Sequence, residues 1–81
     1  MNSLKALHYA LALDEHRNFT AAARDLGISQ PALSRSIQKL EKDLGVPLFD
    51  RSKTEVTPTP FGETYLGRAA DILRQLQEAE R

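Results

Sequence analysis

The chain has 81 residues, 41% of them hydrophobic and 27% charged, which leaves room for one small domain and excludes a multidomain enzyme. Eleven Lys and Arg offset eleven Asp and Glu, and no apolar run approaches the roughly 20 residues of a membrane span, so a transmembrane or strongly polybasic chain is excluded. Without cysteine there is neither a disulfide framework nor a thiolate metal site, and stability must come from packing or oligomerisation. In chain order, Met1 to Lys5 lacks the charged and long apolar regions of a signal peptide, and a cytoplasmic location is the default expectation. Leu4, Leu7 and Leu11 then recur at helical spacing behind Ser3, a good N-cap, and the pattern fades at Asp14 and Glu15, which predicts a first helix from Leu4 to Glu15. After the polar joint His16-Arg17-Asn18, Thr20 is expected to cap a short helix, Ala21 to Leu26, that Gly27 ends in a left-handed conformation. Ile28 turns back to the core and Ser29 caps again. Gln30-Pro31 opens a third helix whose Leu33, Ile37, Leu40 and Leu44 share one face until Gly45.

From Val46 to Pro58 the character changes. Pro47 forbids helix continuation, Leu48, Phe49 and Val56 are apolar anchors of strand type, and Ser52-Lys53-Thr54 between them is turn-like, so a small two-stranded hairpin is predicted. Thr59-Pro60 is another cap-plus-proline helix start. The last helix carries Phe61, Tyr65, Leu66, Ala69, Ile72, Leu73, Leu76 and Ala79 at 3-4 spacing. Three short helices are expected to cover only its beginning, and Tyr65, Leu66, Ala69, Ile72, Leu73, Leu76 and Ala79 are therefore read as the interface with a second copy. The fold class is mainly α: a winged helix-turn-helix of three helices plus a short β-hairpin wing over residues 1–58, then a long dimerisation linker helix over residues 59–81.

The helix-turn-helix sits in residues 20–45. Ala22 and Ala23 are small where the helices cross, Gly27 permits the turn, and Leu33 and Ile37 anchor the second helix. Its outward face then shows Gln30, Ser34, Arg35, Gln38 and Lys39. Gln and Arg can each make paired hydrogen bonds with base edges in the major groove, Ser allows close approach, and Lys39 lies where a phosphate would be. Thr20 and Ser29 mark two helix N-termini, whose free N–H groups and positive dipole ends suit phosphate oxygens. Arg51 and Lys53 fall on or beside the wing, within reach of backbone or minor groove, although Lys53 is read equally well as a solvated turn residue. The charge distribution agrees in sense. His16 to Thr54 holds seven basic and four acidic residues, and both flanks are net acidic.

These residues carry a resemblance. Phe19-Thr20-Ala21-Ala22-Ala23, Ser29-Gln30-Pro31-Ala32-Leu33-Ser34-Arg35, Leu40-Glu41-Lys42-Asp43-Leu44-Gly45, Leu48-Phe49-Asp50-Arg51 and Thr59-Pro60-Phe61-Gly62 resemble the N-terminal DNA-binding domain of LysR-type transcriptional regulators. The resemblance covers essentially the whole chain. It implies a dimer paired through the linker helix, bound to an interrupted inverted repeat in promoter DNA with the recognition helix, about Gln30 to Leu44, in the major groove. By matching motif positions it implies Gln30, Pro31, Ser34 and Arg35 as base-facing and Thr20, Ser29 and Arg51 as backbone contacts; Gln38 joins the first set, and Lys39 and Lys53 the second, from their places on the helix face and the wing. Four positions depart from the family pattern: Ala10 replaces a bulky residue, Thr54 and Glu55 stand where basic residues are common, and Pro58 replaces Leu. Family members continue into a periplasmic-binding-protein-like domain that senses a small effector, so this chain is expected to be the DNA-binding part of a longer regulator, with any effector acting through a domain outside it.

Other chemistry is weaker. His8 and His16 stand eight apart with no matching ligand pattern, and Ser29, Ser34 and Ser36 lack an activating base, so no metal, cofactor or catalytic site is assigned. Arg24 with Asp25, and Lys39 with Asp43, read as solvated helix charges. The competing functional class is a protein-interaction module, since winged helices serve that use too and overall neutrality is untypical of a strong nonspecific DNA binder.

Overall fold

The computed structural model describes residues 3–81. Helix α1 (Ser3–His16) turns Ala6, Leu7, Ala10 and Leu13 inward, one stripe at helical spacing. Whether Ser3 caps it concerns a side chain outside the described residues. Ala10 is wholly buried, so this small side chain lies in the centre of the core. The helix closes at Arg17, which sits at φ 59°, a left-handed conformation that costs a non-glycine residue about 1–2 kcal/mol. Local bonds hold it there: Arg17 N donates to the Leu13 carbonyl at 2.8 Å and Arg17 Nε to the Asp14 carbonyl at 2.7 Å.

Helix α2 (Phe19–Leu26) begins two residues before the expected start. Its N-cap is Asn18, not Thr20: Asn18 is extended, and its side chain accepts from Ala21 N at 2.8 Å. Thr20 already lies within the first turn. Ala22 and Ala23 are buried, and their single methyl groups let α2 approach its neighbours closely. Gly27 takes φ 72°, and the Ile28 N–H reaches the Ala23 carbonyl at 3.0 Å, so the tight turn satisfies the last carbonyls of α2. Helix α3 (Gln30–Leu44) starts under Ser29, whose Oγ accepts from Ala32 N at 3.2 Å, and stops at Gly45 with φ 79°. Leu33, Ile37 and Leu40 are buried on one side of it, as the spacing predicts.

The hairpin pairs β1 (Phe49–Asp50) with β2 (Thr57–Pro58) antiparallel, Phe49 opposite Pro58 and Asp50 opposite Thr57. Pro58 has no N–H to give the ladder, which suits a two-residue edge pair. Leu48, Phe49 and Val56 are buried and root the wing in the core. Thr59 then works in both directions: its hydroxyl donates to the Pro47 carbonyl at 2.9 Å and accepts from Gly62 N at 2.9 Å, capping helix α4 (Pro60–Ala79).

One core holds these elements together. Leu13, Leu33, Ile37 and Leu48, from α1, α3 and the wing root, are fully buried, each worth about 1.5–3 kcal/mol of transfer free energy. Leu66 of α4 joins that core, while Ala69 and Leu73 pack with Leu7 of α1 in a second cluster. The same chain therefore covers α4 well past its beginning, as far as Leu73, because α1 is long enough to run beneath it. No helix among the described residues is long and apolar enough to cross a membrane.

Candidate nucleic-acid interface

The face of α3 opposite its buried side is built by periodicity. Pro31, Arg35, Gln38 and Lys42 recur at intervals of three or four residues, all exposed, with Gln30, Ser34 and Lys39 flanking them. Arg35 and Gln38 make no ion pair or hydrogen bond among the described residues, so their donors face outward unspent. Lys39 is 3.3 Å from Asp43, an exposed pair worth a few tenths of a kcal/mol and easily exchanged for a stronger anion. Beyond Arg35 and Lys39 a groove of 520 Å³ separates α3 from Lys5 and Tyr9 of α1. Lys42 was missed as a member of this face, although its place seven residues after Arg35 is the signal that finds it.

The N-terminal end of α3 meets α2 here. Thr20 Oγ1 lies 3.5 Å from Gln30 Oε1, a long contact that brings the exposed first turns of the two helices together. Ser29 keeps its predicted place as cap. Thr20 does not, and the free N–H groups it was expected to organise belong to the end capped by Asn18.

On the wing the two basic residues differ. Lys53 is exposed at the turn, whereas Arg51 donates to Glu41 Oε1 at 3.1 Å and lays its guanidinium over the Phe19 ring, 5.3 Å from the centroid. Glu41 also accepts from Leu48 N at 2.7 Å and Phe49 N at 3.2 Å. The hydroxyl of Ser52, then its N–H, hydrogen-bonds the Asp50 carboxylate and, helped by Lys53, holds its pKa below the usual 3.8. That tight turn carries Lys53 outward.

Away from this face the sequence reading needs two corrections. His16 does have a carboxylate partner: its Nε2 is 3.1 Å from Asp25 Oδ2, with Glu15 nearby, because α2 folds back against the end of α1. Asp25 is thus paired across helices and is not merely a solvated neighbour of Arg24. Along α4, the side chains of Leu66, Ala69 and Leu73 are spent inside their own chain, so they do not offer a surface to a second copy. Phe61, Ile72 and Leu76 are the large apolar side chains of α4 left exposed, with Phe61 stacked on Tyr65 at 6.0 Å.

Residues 4–63 match the family described as bacterial regulatory helix-turn-helix protein, lysR family. The chain belongs to the lysR family. Among its relatives, the HTH-type transcriptional regulator BudR of Raoultella terrigena is 50% identical over 70 residues, 86% of this chain and 24% of the relative. The chain thus spans about a quarter of the length of the curated regulators it matches. Two solved structures are similar throughout. The BenM DBD with benA site 1 DNA superposes with a TM-score of 0.92 at 39% identity, covering 94% of this chain and 85% of that one. The CbnR DBD–DNA complex gives 0.89 at 38%, covering 95% and 88%. This lysR-family chain is accordingly a regulatory helix-turn-helix domain and not an enzyme, mainly helical with a two-stranded wing. Thr54, uncharged, and Glu55, acidic, stand at the exposed tip of the wing.

Proposed function

We propose that this chain is the sequence-specific DNA-binding part of a bacterial LysR-type transcriptional regulator, gripping an interrupted inverted repeat in promoter DNA as a dimer. The observation that carries the reading is the likeness, at a TM-score of 0.92 over 94% of the chain, to a domain crystallised on DNA. The outward face of α3, on which Arg35 and Gln38 are exposed and make no hydrogen bond or ion pair among the described residues, supports it in detail: Gln30, Pro31, Ser34, Arg35 and Gln38 meet base edges in the major groove. Thr20, Ser29, Lys39, Arg51 and Lys53 contact the sugar-phosphate backbone, with Lys53 leading the wing toward the flanking groove. Pairing runs through the linker helix, on Tyr65, Ile72, Leu76 and Ala79 with Phe61. A small-molecule effector acts through a domain outside this chain, and the regulator works in the cytoplasm.

The test is selection from a randomised duplex library at two salt concentrations. Enrichment of a two-fold-related site, with affinity falling as salt rises, is expected. Arg35→Ala should lose about 1–3 kcal/mol per half-site and relax the preference at one position in each half. Affinity independent of both salt and Arg35 would return the chain to the class of protein-interaction modules.

A further inference from the structure

Glu41 has no place among the contacts proposed for DNA, yet it is the best-bonded carboxylate on α3. Its side chain is 12% exposed and lies on the flank of the helix that faces the wing. One oxygen accepts from the N–H groups of Leu48 and Phe49, at the head of β1, and the other from Arg51, just after it. Arg51 in turn covers Phe19, the first residue of α2. Other hydrogen bonds tie the wing elsewhere: Val56 N to the Arg17 carbonyl at 3.0 Å, and Thr59 to the carbonyls of Leu48 and Pro47. Among the described residues, every hydrogen bond that joins the wing to α3 ends on Glu41. Charge-assisted bonds of this kind are short and directional, so they set an angle as well as a contact.

Resting on the DNA reading above, we propose that Glu41 is a positioning residue for recognition. Its carboxylate registers the wing against α3, so that Lys53 meets phosphates while Arg35 and Gln38 sit on base edges of the same duplex. A positioning role depends on reach, which is separable from charge. Glu41→Asp keeps the charge and shortens the arm by one methylene, so its carboxylate falls short of the β1 N–H groups that set the register. Glu41→Gln loses the charge and keeps the arm: its one carbonyl oxygen still reaches the β1 N–H groups that set the register, while its NH2, a donor, gives up the Arg51 bond.

The experiment compares the full chain and both variants, each shown folded by circular dichroism, on a duplex enriched by the parent and on poly(dI-dC). With one phosphate contact per head lost from the specific complex, Glu41→Asp should show a specific-to-nonspecific affinity ratio about ten-fold lower and, summed over the two heads of the dimer, a salt slope shallower by roughly two, and Glu41→Gln should stay within about three-fold of the parent ratio. Glu41→Asp with the parent's ratio and slope would overturn the proposal. So would equal losses in both variants, which would make charge and not reach the operative property, or a Glu41→Asp chain that does not fold, which would assign the carboxylate to stability alone. A parent chain that enriches no duplex would remove the DNA reading itself and this proposal with it.

Discussion

A single methyl group separates two glycines of α4. At Gly62, in the first turn, an added Cβ would run into the backbone carbonyl of Leu48, whereas at Gly67 it would meet nothing within 4 Å. Alanine ordinarily gains about 1 kcal/mol over glycine inside a helix, so Gly67→Ala should raise stability by roughly 0.5–1 kcal/mol. Gly62→Ala faces the same propensity gain and a clash with backbone that cannot rotate away. It should lower stability by about 1–3 kcal/mol. Urea unfolding of the two variants checks both signs in one series, and equal shifts would refute the close approach of α4 to the wing root. The Gly62 contact was not legible in the sequence, which shows a glycine near a helix start but not the carbonyl waiting beside it. Arg35 and Gln38 were legible, because an exposed helix face follows from period alone.

At the scale of elements, the boundaries set by chemically unambiguous signals came through and those set by competition did not. Ser29 with Pro31, Gly27 and Gly45 each lack a rival within the same turn, and each sits where expected. At the start of α2 two good caps stand two residues apart, and the backbone of the α1–α2 joint decides between them. Arg17 at φ 59° delivers Asn18 in extended conformation, and its side chain takes the Ala21 N–H. Asn18→Ala should therefore destabilise the chain by about 1 kcal/mol, and Thr20→Ala by much less. Thermal melts of both would show the reverse order if Thr20 were the cap. Glu41 illustrates a further limit: its spacing marks it as a helix-flank charge, and only the return of the chain at Leu48 and Phe49 gives it three donors.

At the scale of the whole molecule, α4 carries two apolar stripes with different fates. Its inner stripe, Leu66, Ala69 and Leu73, is part of the chain's own core, and its neighbouring stripe, Phe61, Ile72 and Leu76, stays exposed. Sequence alone merges the stripes into one apolar face, because both obey the same 3-4 spacing. The dimer proposed for this chain then depends on the outer stripe only. Ile72→Glu with Leu76→Glu should leave the melting temperature of the monomer fold within a few degrees while converting a dimer to a monomer in sedimentation analysis, and should weaken binding to a two-half-site duplex by ten-fold or more through lost avidity. Leu73→Ala should do the opposite, costing about 2–5 kcal/mol of stability with its burial lost. The seam between α1 and α4 also makes the linker a ruler. Because Leu73 is clamped to Leu7 on the body that carries α3, whatever grips the last turns of α4 inherits the orientation of the reading head without slack. Each residue inserted after Leu73 would advance that grip by 1.5 Å and swing it through about 100°, so in the proposed dimer helix length would set the phase between half-sites.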